Sequence, residues 1–165
     1  MAKKSRELLR VKLEGYLNLV RIQRELETVS ARLLSDHGID GMTMAQATAL
    51  LVLVQEAAPI TATRLAGLLN VTPVTVGRFV RNLLQNGWIH RKPDPNDARA
   101  MLLEPTKKTY TQLGAFFDVT NLLMANAYGE MGGDRVKSLV RSLAEIRGNL
   151  YEASGKPDTQ PQVML

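Results

Sequence analysis

Apolar positions along this chain recur mostly at three- and four-residue steps, so the pattern predicts a mainly helical protein. Residues 5–35 form one long periodic segment without an internal proline. Leu9, Leu13, Tyr16, Leu17 and Val20 lie on one stripe, and Ala31 and Leu34 resume the spacing near its end. A helix this long cannot be covered by a small domain, so a partner chain is expected against it. Asp36-His37-Gly38 stops it. A second helix, from Thr43 or Met44 to Gln55, is rich in Ala and Leu and is expected to be buried. Ala57-Ala58-Pro59 breaks the pattern, and Ile60 reads as a short strand. Thr61 then caps a short helix, Ala62 to Leu69, with Leu65, Leu68 and Leu69 facing inward.

The stretch from Val71 to Thr106 changes period three times. Thr72 can N-cap a helix, and Pro73 stands at its first position, where a missing N–H costs nothing. Val76, Phe79, Val80, Leu83 and Leu84 form the apolar face, while Thr75, Arg78 and Arg81 point elsewhere. Asn86-Gly87 ends this helix. Trp88 and Ile89 begin a strand, Pro93-Asp94-Pro95-Asn96-Asp97 makes a turn, and Ala100 to Leu103 return as a second strand. The order is helix, turn, helix, strand, turn, strand: a helix-turn-helix with a β-wing.

The C-terminal third predicts two more helices. One spans about 107–130 with Leu113, Phe116, Phe117, Leu122 and Leu123 as its apolar positions, and Met131-Gly132-Gly133 breaks it. The last carries Val136, Leu139, Leu143, Ile146 and Leu150 at seven-residue spacings, a short coiled-coil-like seam. The expected organisation is a helical dimerisation lobe from residues 5–35 and 107–152, a winged helix-turn-helix lobe at 43–106, and a disordered tail at 153–165.

Composition narrows the chemistry. The 165 residues contain no cysteine and only two histidines, His37 and His90. Disulfides, thiolate metal sites and cysteine redox sensing are thereby excluded, and no metal or cofactor is expected. No Gly-rich phosphate loop and no His/Glu metal pair is present, so an enzyme is not expected. The charged N-terminus lacks a signal-peptide core, and no apolar run reaches the ~20 residues that span a bilayer, so a cytoplasmic protein without a membrane partner is expected.

The net charge of +5 is unevenly spread. Residues 61–110 hold eight Lys/Arg against Asp94, Asp97 and Glu104, whereas residues 25–60 hold Arg32 against five acids. Residues 1–24 are again basic, with seven Lys/Arg against Glu7 and Glu14. The excess falls on the helix-turn-helix, the wing and the N-terminal arm, the footprint of a polyanion partner.

The block LAGLLNVTPVTVGRFVRNLLQNGWIHRKPDPNDARAMLLEPTKK resembles the winged helix-turn-helix of the MarR/SlyA family of bacterial transcriptional regulators. The short helix LAGLLNV, the reader TPVTVGRFVRNLLQNGW and the wing DPNDAR carry the likeness, and the Asp-x-Arg at the wing tip is its most diagnostic part. The helix order on both sides also fits, over about residues 8–152. The chain departs from the pattern at Gly77 in the middle of the reader, at Ala98 between Asp97 and Arg99, and at Pro105 and Thr109. Gly77 costs roughly 1 kcal/mol of helix propensity relative to Ala. Ala98 removes one basic wing residue. Pro105 and Thr109 predict a remodelled wing end.

The resemblance implies a symmetric homodimer that places two readers in successive major grooves of double-stranded DNA, with half-sites about 10 bp apart. It implies repression as the mode. Pro73, Val74, Thr75 and Arg78 would face base edges, with Arg78 on guanine and Val74 or Thr75 on a thymine methyl. Thr72 and Arg81 would hold phosphates, and Thr61, Thr63 and Arg64 would touch the backbone. Arg99 would enter the minor groove, and Asp97 would orient Arg99 or another wing Arg by an ion pair. Relatives of this kind often bind small amphipathic, commonly phenolic, acids between the two lobes. Here Tyr16, Val20, His37, Met44 and Thr48 would line that space. Two other functions suit the same pattern: a winged-helix protein-interaction module, indifferent to neutralising Arg78 and Arg99, and an architectural DNA-binding protein without sequence preference.

Overall fold

The computed structural model describes residues 2–155, with side chains from residue 4 onward. Helix α1 runs from Ala2 to Asp36, and only its last third packs on the fold. Leu33 and Leu34 are buried there, whereas every residue from 4 to 25 is exposed. The turn at Gly38 and Gly41 leads to α2 (Met44–Gln55). Thr43 and Gln46 close a reciprocal capping box at its start. Ala47, Ala49, Leu50 and Leu53 bury α2 in the centre of the core, as its composition predicts.

Strand β1 (Ile60–Thr61) is followed by α3 (Ala62–Leu69) and α4 (Pro73–Gln85), then by β2 (Ile89–Pro93) and β3 (Met101–Pro105). The strands form an antiparallel sheet in the order β1-β3-β2. Ile60 therefore pairs with Leu103, beside the wing, as the sequence predicts. Ile89 is opposite Pro105, and Pro93 is opposite Met101. The ladder thus remains regular through Pro105, and the remodelled wing end does not occur. Pro105 closes the strand at its last position, where its missing N–H interrupts nothing. The next N–H, of Thr106, donates to the Trp88 carbonyl at 2.9 Å.

The predicted helix at 107–130 is two helices, α5 (Lys107–Thr111) and α6 (Leu113–Tyr128), bent at Gln112. The cause is tertiary. Buried Thr109 donates its hydroxyl to the Trp88 carbonyl, and Lys108 donates to the Asn86 carbonyl at 2.9 Å. These bonds pin α5 to the base of the wing. Phe116, Val119 and Leu123 hold α6 in the core, alongside α1.

Helix α7 (Gly133–Ala153) has no buried residue. Leu139, Val140, Leu143, Ile146 and Leu150 are exposed along it. The expected tail therefore starts inside the helix, and its remainder beyond residue 155 lies outside the described residues. Tyr151, near the end of α7, accepts a 3.1 Å hydrogen bond from Asn70, 81 positions away in the turn between α3 and α4.

Candidate nucleic-acid interface

The helix predicted to be the reader is α4, and local chemistry fixes both its ends. The Thr72 hydroxyl accepts the Thr75 N–H at 3.2 Å, and Pro73 opens the first turn. An N-cap of this kind contributes about 1 kcal/mol. At the other end Gly87 takes φ +70°, in the left-handed region that glycine tolerates. The Trp88 N–H then donates to the Leu83 carbonyl at 2.9 Å, turning the chain sharply into β2.

Two faces result. Val76, Val80 and Leu83 are fully buried, and Phe79 and Leu84 are half-buried. Thr72, Pro73, Val74, Gly77, Arg78 and Arg81 are all exposed. Val74 is 76% exposed. Thr75 is half-buried, and its hydroxyl lies 2.9 Å from that of Thr72.

The preceding helix sits at a fixed angle because Asn70 adopts φ 50°, ψ 44°, a left-handed cap that Asn tolerates better than most residues. The Thr61 hydroxyl accepts the Arg64 N–H at 3.2 Å and so caps α3. Thr63 is exposed. The Arg64 guanidinium is occupied by Glu56, at 3.0 Å from one carboxylate oxygen. Its charge is partly neutralised, a partner the sequence reading did not foresee.

Side-chain caps also shape the wing tip. Asp94 accepts the Asn96 N–H at 2.8 Å, and Asp97 accepts the Arg99 N–H at 2.9 Å. The expected Asp97–Arg99 ion pair is therefore replaced by a main-chain bond. A two-residue separation brings the Asp carboxylate back onto the backbone more readily than onto a long guanidinium. Asp97 still positions Arg99, but leaves its charge uncompensated and exposed.

Further down the wing, Glu104 sits 2.9 Å from Lys92 and 3.1 Å from His90. The Lys92 hydrogen bond, aided by the Lys92 charge and by His90, holds the Glu104 carboxyl below the ordinary carboxylate range. Arg91 is exposed on the same strand and, with Arg78, Arg81 and Arg99, forms no ion pair among the described residues. Arg91 was visible in the charge tally but had no place in the motif.

Trp88 is core rather than a stacking platform. It is 2% exposed, meets the Phe116 ring edge-on at 5.6 Å between centroids, and carries the Lys108 ammonium 4.0 Å above it.

Residues 42–101 match the MarR family model. This segment is similar to MarR-family domains. Its fold extends beyond the matched residues. A Cys-to-Ser variant of MarR from E. coli complexed with operator DNA superposes with TM-score 0.70 at 23% identity, over 83% of this chain and 95% of that one. A putative MarR-like transcription regulator from Bacillus cereus ATCC 10987 gives TM-score 0.70 at 16% identity, over 86% and 99%. Reduced AbfR bound to DNA gives 0.69 at 20% identity, over 88% and 98%. No curated protein matches the sequence significantly.

Between α2 and α6 lies an apolar cavity of about 310 Å³. Met44 and Thr48 line it together with Leu51, Phe117, Thr120 and Leu123, among others. Tyr16, Val20 and His37 do not. Tyr16 and Val20 lie on the exposed part of α1, where Leu19 and Ile22, not they, share a second cavity with Met44. His37 lies beyond the end of α1, with Nδ1 2.8 Å from the Leu33 carbonyl. The sequence reading therefore gathered two of the five lining residues it named. No helix among the described residues is long and apolar enough to cross a membrane.

Proposed function

We propose that the protein is a sequence-specific DNA-binding transcriptional regulator, acting as a repressor and as a homodimer. The observation that carries this reading is the two-faced reader. One side of α4 is fully buried, while Thr72, Pro73, Val74, Arg78 and Arg81 stand exposed on the other. The arrangement suits insertion into a major groove, with Arg78 as the bidentate guanine ligand and Thr72 and Arg81 on phosphates. Thr75 and Val74 supply apolar contact, Thr61, Thr63 and Arg64 brace the backbone, and Arg99, held by Asp97, enters the minor groove. Arg64 keeps Glu56 as an orienting partner, so its contribution to affinity is smaller than that of Arg78 or Arg99. The solved complexes of MarR with operator DNA and of AbfR with DNA support the same use of the fold.

The dimer rests on residues 5–35 and 107–152. Leu9, Leu13, Tyr16 and Leu17 on α1 and Leu139, Leu143, Ile146 and Leu150 on α7 are exposed in the single chain. Contiguous apolar surface on this scale belongs against another chain. The effector site is the cavity at Met44 and Thr48. Its lining contains no charged side chain. That favours a small, largely apolar ligand with a hydroxyl over an acid, because an unpaired carboxylate is costly to desolvate. Binding there would shift the spacing of the two readers and release DNA.

The test is fluorescence anisotropy at ~150 mM salt with DNA from upstream of the protein's own coding region and a scrambled duplex. Binding at least ~1000-fold tighter to the native duplex is expected. Equal, weak binding to both would instead make the protein an architectural DNA binder. No binding to either would leave a protein-interaction module.

A further inference from the structure

Gly77 stands on the exposed face of α4, one turn after Val74 and one turn before Arg81. A helix interior is a poor place for glycine, and this glycine has no local excuse. Its φ is not positive, so the backbone does not require it. A Cβ built on it meets no atom within 4 Å, so no neighbouring element requires it either. What the missing side chain leaves is open space the size of one methyl, a notch beside a valine that is 76% exposed. The notch lies in the middle of the surface that the proposed function turns toward base edges.

We propose that Gly77 is a specificity-determining residue that admits the 5-methyl group of a thymine, packed between the Gly77 Cα and the Val74 side chain. The inference rests on the reading of α4 as a DNA reader. The absent group at position 77 and the thymine 5-methyl are the same size. A methyl can therefore come from the protein or from the base, but not from both. Val74 makes the notch apolar, which favours a methyl over a polar base edge. A cytosine in the same place presents hydrogen where thymine presents the methyl, and leaves the notch empty.

The experiment is a methyl-exchange cycle. The duplex that wild-type protein prefers over its scrambled control is resynthesised with uracil replacing each thymine pair of the half-sites in turn. Each is titrated by anisotropy against wild type and Gly77→Ala. For wild type, one position should lose about four-fold in one half-site and about fifteen-fold in both, the worth of a buried methyl. Gly77→Ala should bind the thymine duplex at least ten-fold more weakly than wild type. It should recover to within about three-fold when that same position carries uracil. Its melting temperature should rise by about 2–4 °C, as expected for replacing a helix glycine, which separates a binding defect from a folding defect.

Equal affinity of Gly77→Ala and wild type for the thymine duplex would overturn the proposal and leave the DNA-reading function intact. Weaker binding without uracil rescue at any position would overturn the thymine assignment. A wild type that does not distinguish native from scrambled DNA would overturn both the proposal and the reading beneath it.

Discussion

The salt dependence of DNA binding follows from counting charges on the interface. Arg78, Arg81, Arg91 and Arg99 are exposed and form no ion pair among the described residues, whereas Arg64 is committed to Glu56 and Lys92 to Glu104. A homodimer then offers eight uncommitted guanidinium groups to the phosphates. If all engage, log K against log salt has a slope of about −7, and affinity falls roughly twenty-thousand-fold between 50 and 200 mM salt. Replacing Arg99 by Ala in both subunits leaves six, with a slope of about −5 and a fall of roughly a thousand-fold to two-thousand-fold over the same range. The assay is an anisotropy titration at five salt concentrations with each protein. The two lines should converge at high salt, because the variant loses mainly the salt-sensitive part. A slope unchanged by Arg99→Ala would refute the minor-groove role of Arg99. A wild-type slope near zero would refute phosphate neutralisation altogether. A slope steeper than about −9 would require cations from elsewhere, and the basic residues of α1 would be the next to neutralise.

Three further outcomes are expected. Thr72→Ala should lower stability by about 1 kcal/mol, read as a melting-temperature drop of about 2–4 °C, and Thr72→Ser should restore it by rebuilding the cap. Glu104 should titrate below the usual carboxylate range in a carboxyl-carbon NMR titration, and Lys92→Ala should move it back up. Because its folded value is depressed, the stabilisation it gives the wing is present above the unfolded carboxylate pKa and is lost as pH falls through the folded one. Leu13→Glu on the exposed face of α1 should convert the proposed dimer to monomer in sedimentation velocity while leaving the helical circular dichroism intact.

What could be read from the sequence was chemistry acting over a few residues. Thr72-Pro73 announced the start of α4 and Asn86-Gly87 its end, because capping and left-handed φ are local constraints. The Pro/Asp turn between β2 and β3 was legible for the same reason. The bend at Gln112 was not, because the bonds that cause it join Thr109 and Lys108 to carbonyls at Trp88 and Asn86, about twenty residues away. Pro105 looked like damage to the wing and proved to be its terminus. Asp97 was correctly tied to Arg99, but through the wrong atoms, since the residue types do not say whether a carboxylate meets a guanidinium or a main-chain N–H. The cavity was the least legible feature. Met44 and Thr48 belong to it because α6 crosses α2 at that point, whereas Tyr16 and Val20, on a stripe of the same helical period, extend along α1 away from it.

The hydrogen bond between Asn70 and Tyr151 sets a lever. Asn70 is the joint from which α4 extends, and thirteen residues at 1.5 Å rise make an arm about 20 Å long. Turning that arm by roughly 10° about the joint displaces its far end by about 3.4 Å, the height of one base-pair step. The reading residues Thr72 to Arg78 sit at the joint end and shift far less, so a small angular error at one side-chain bond on α7 falls chiefly on Gln85 and on the wing that follows it.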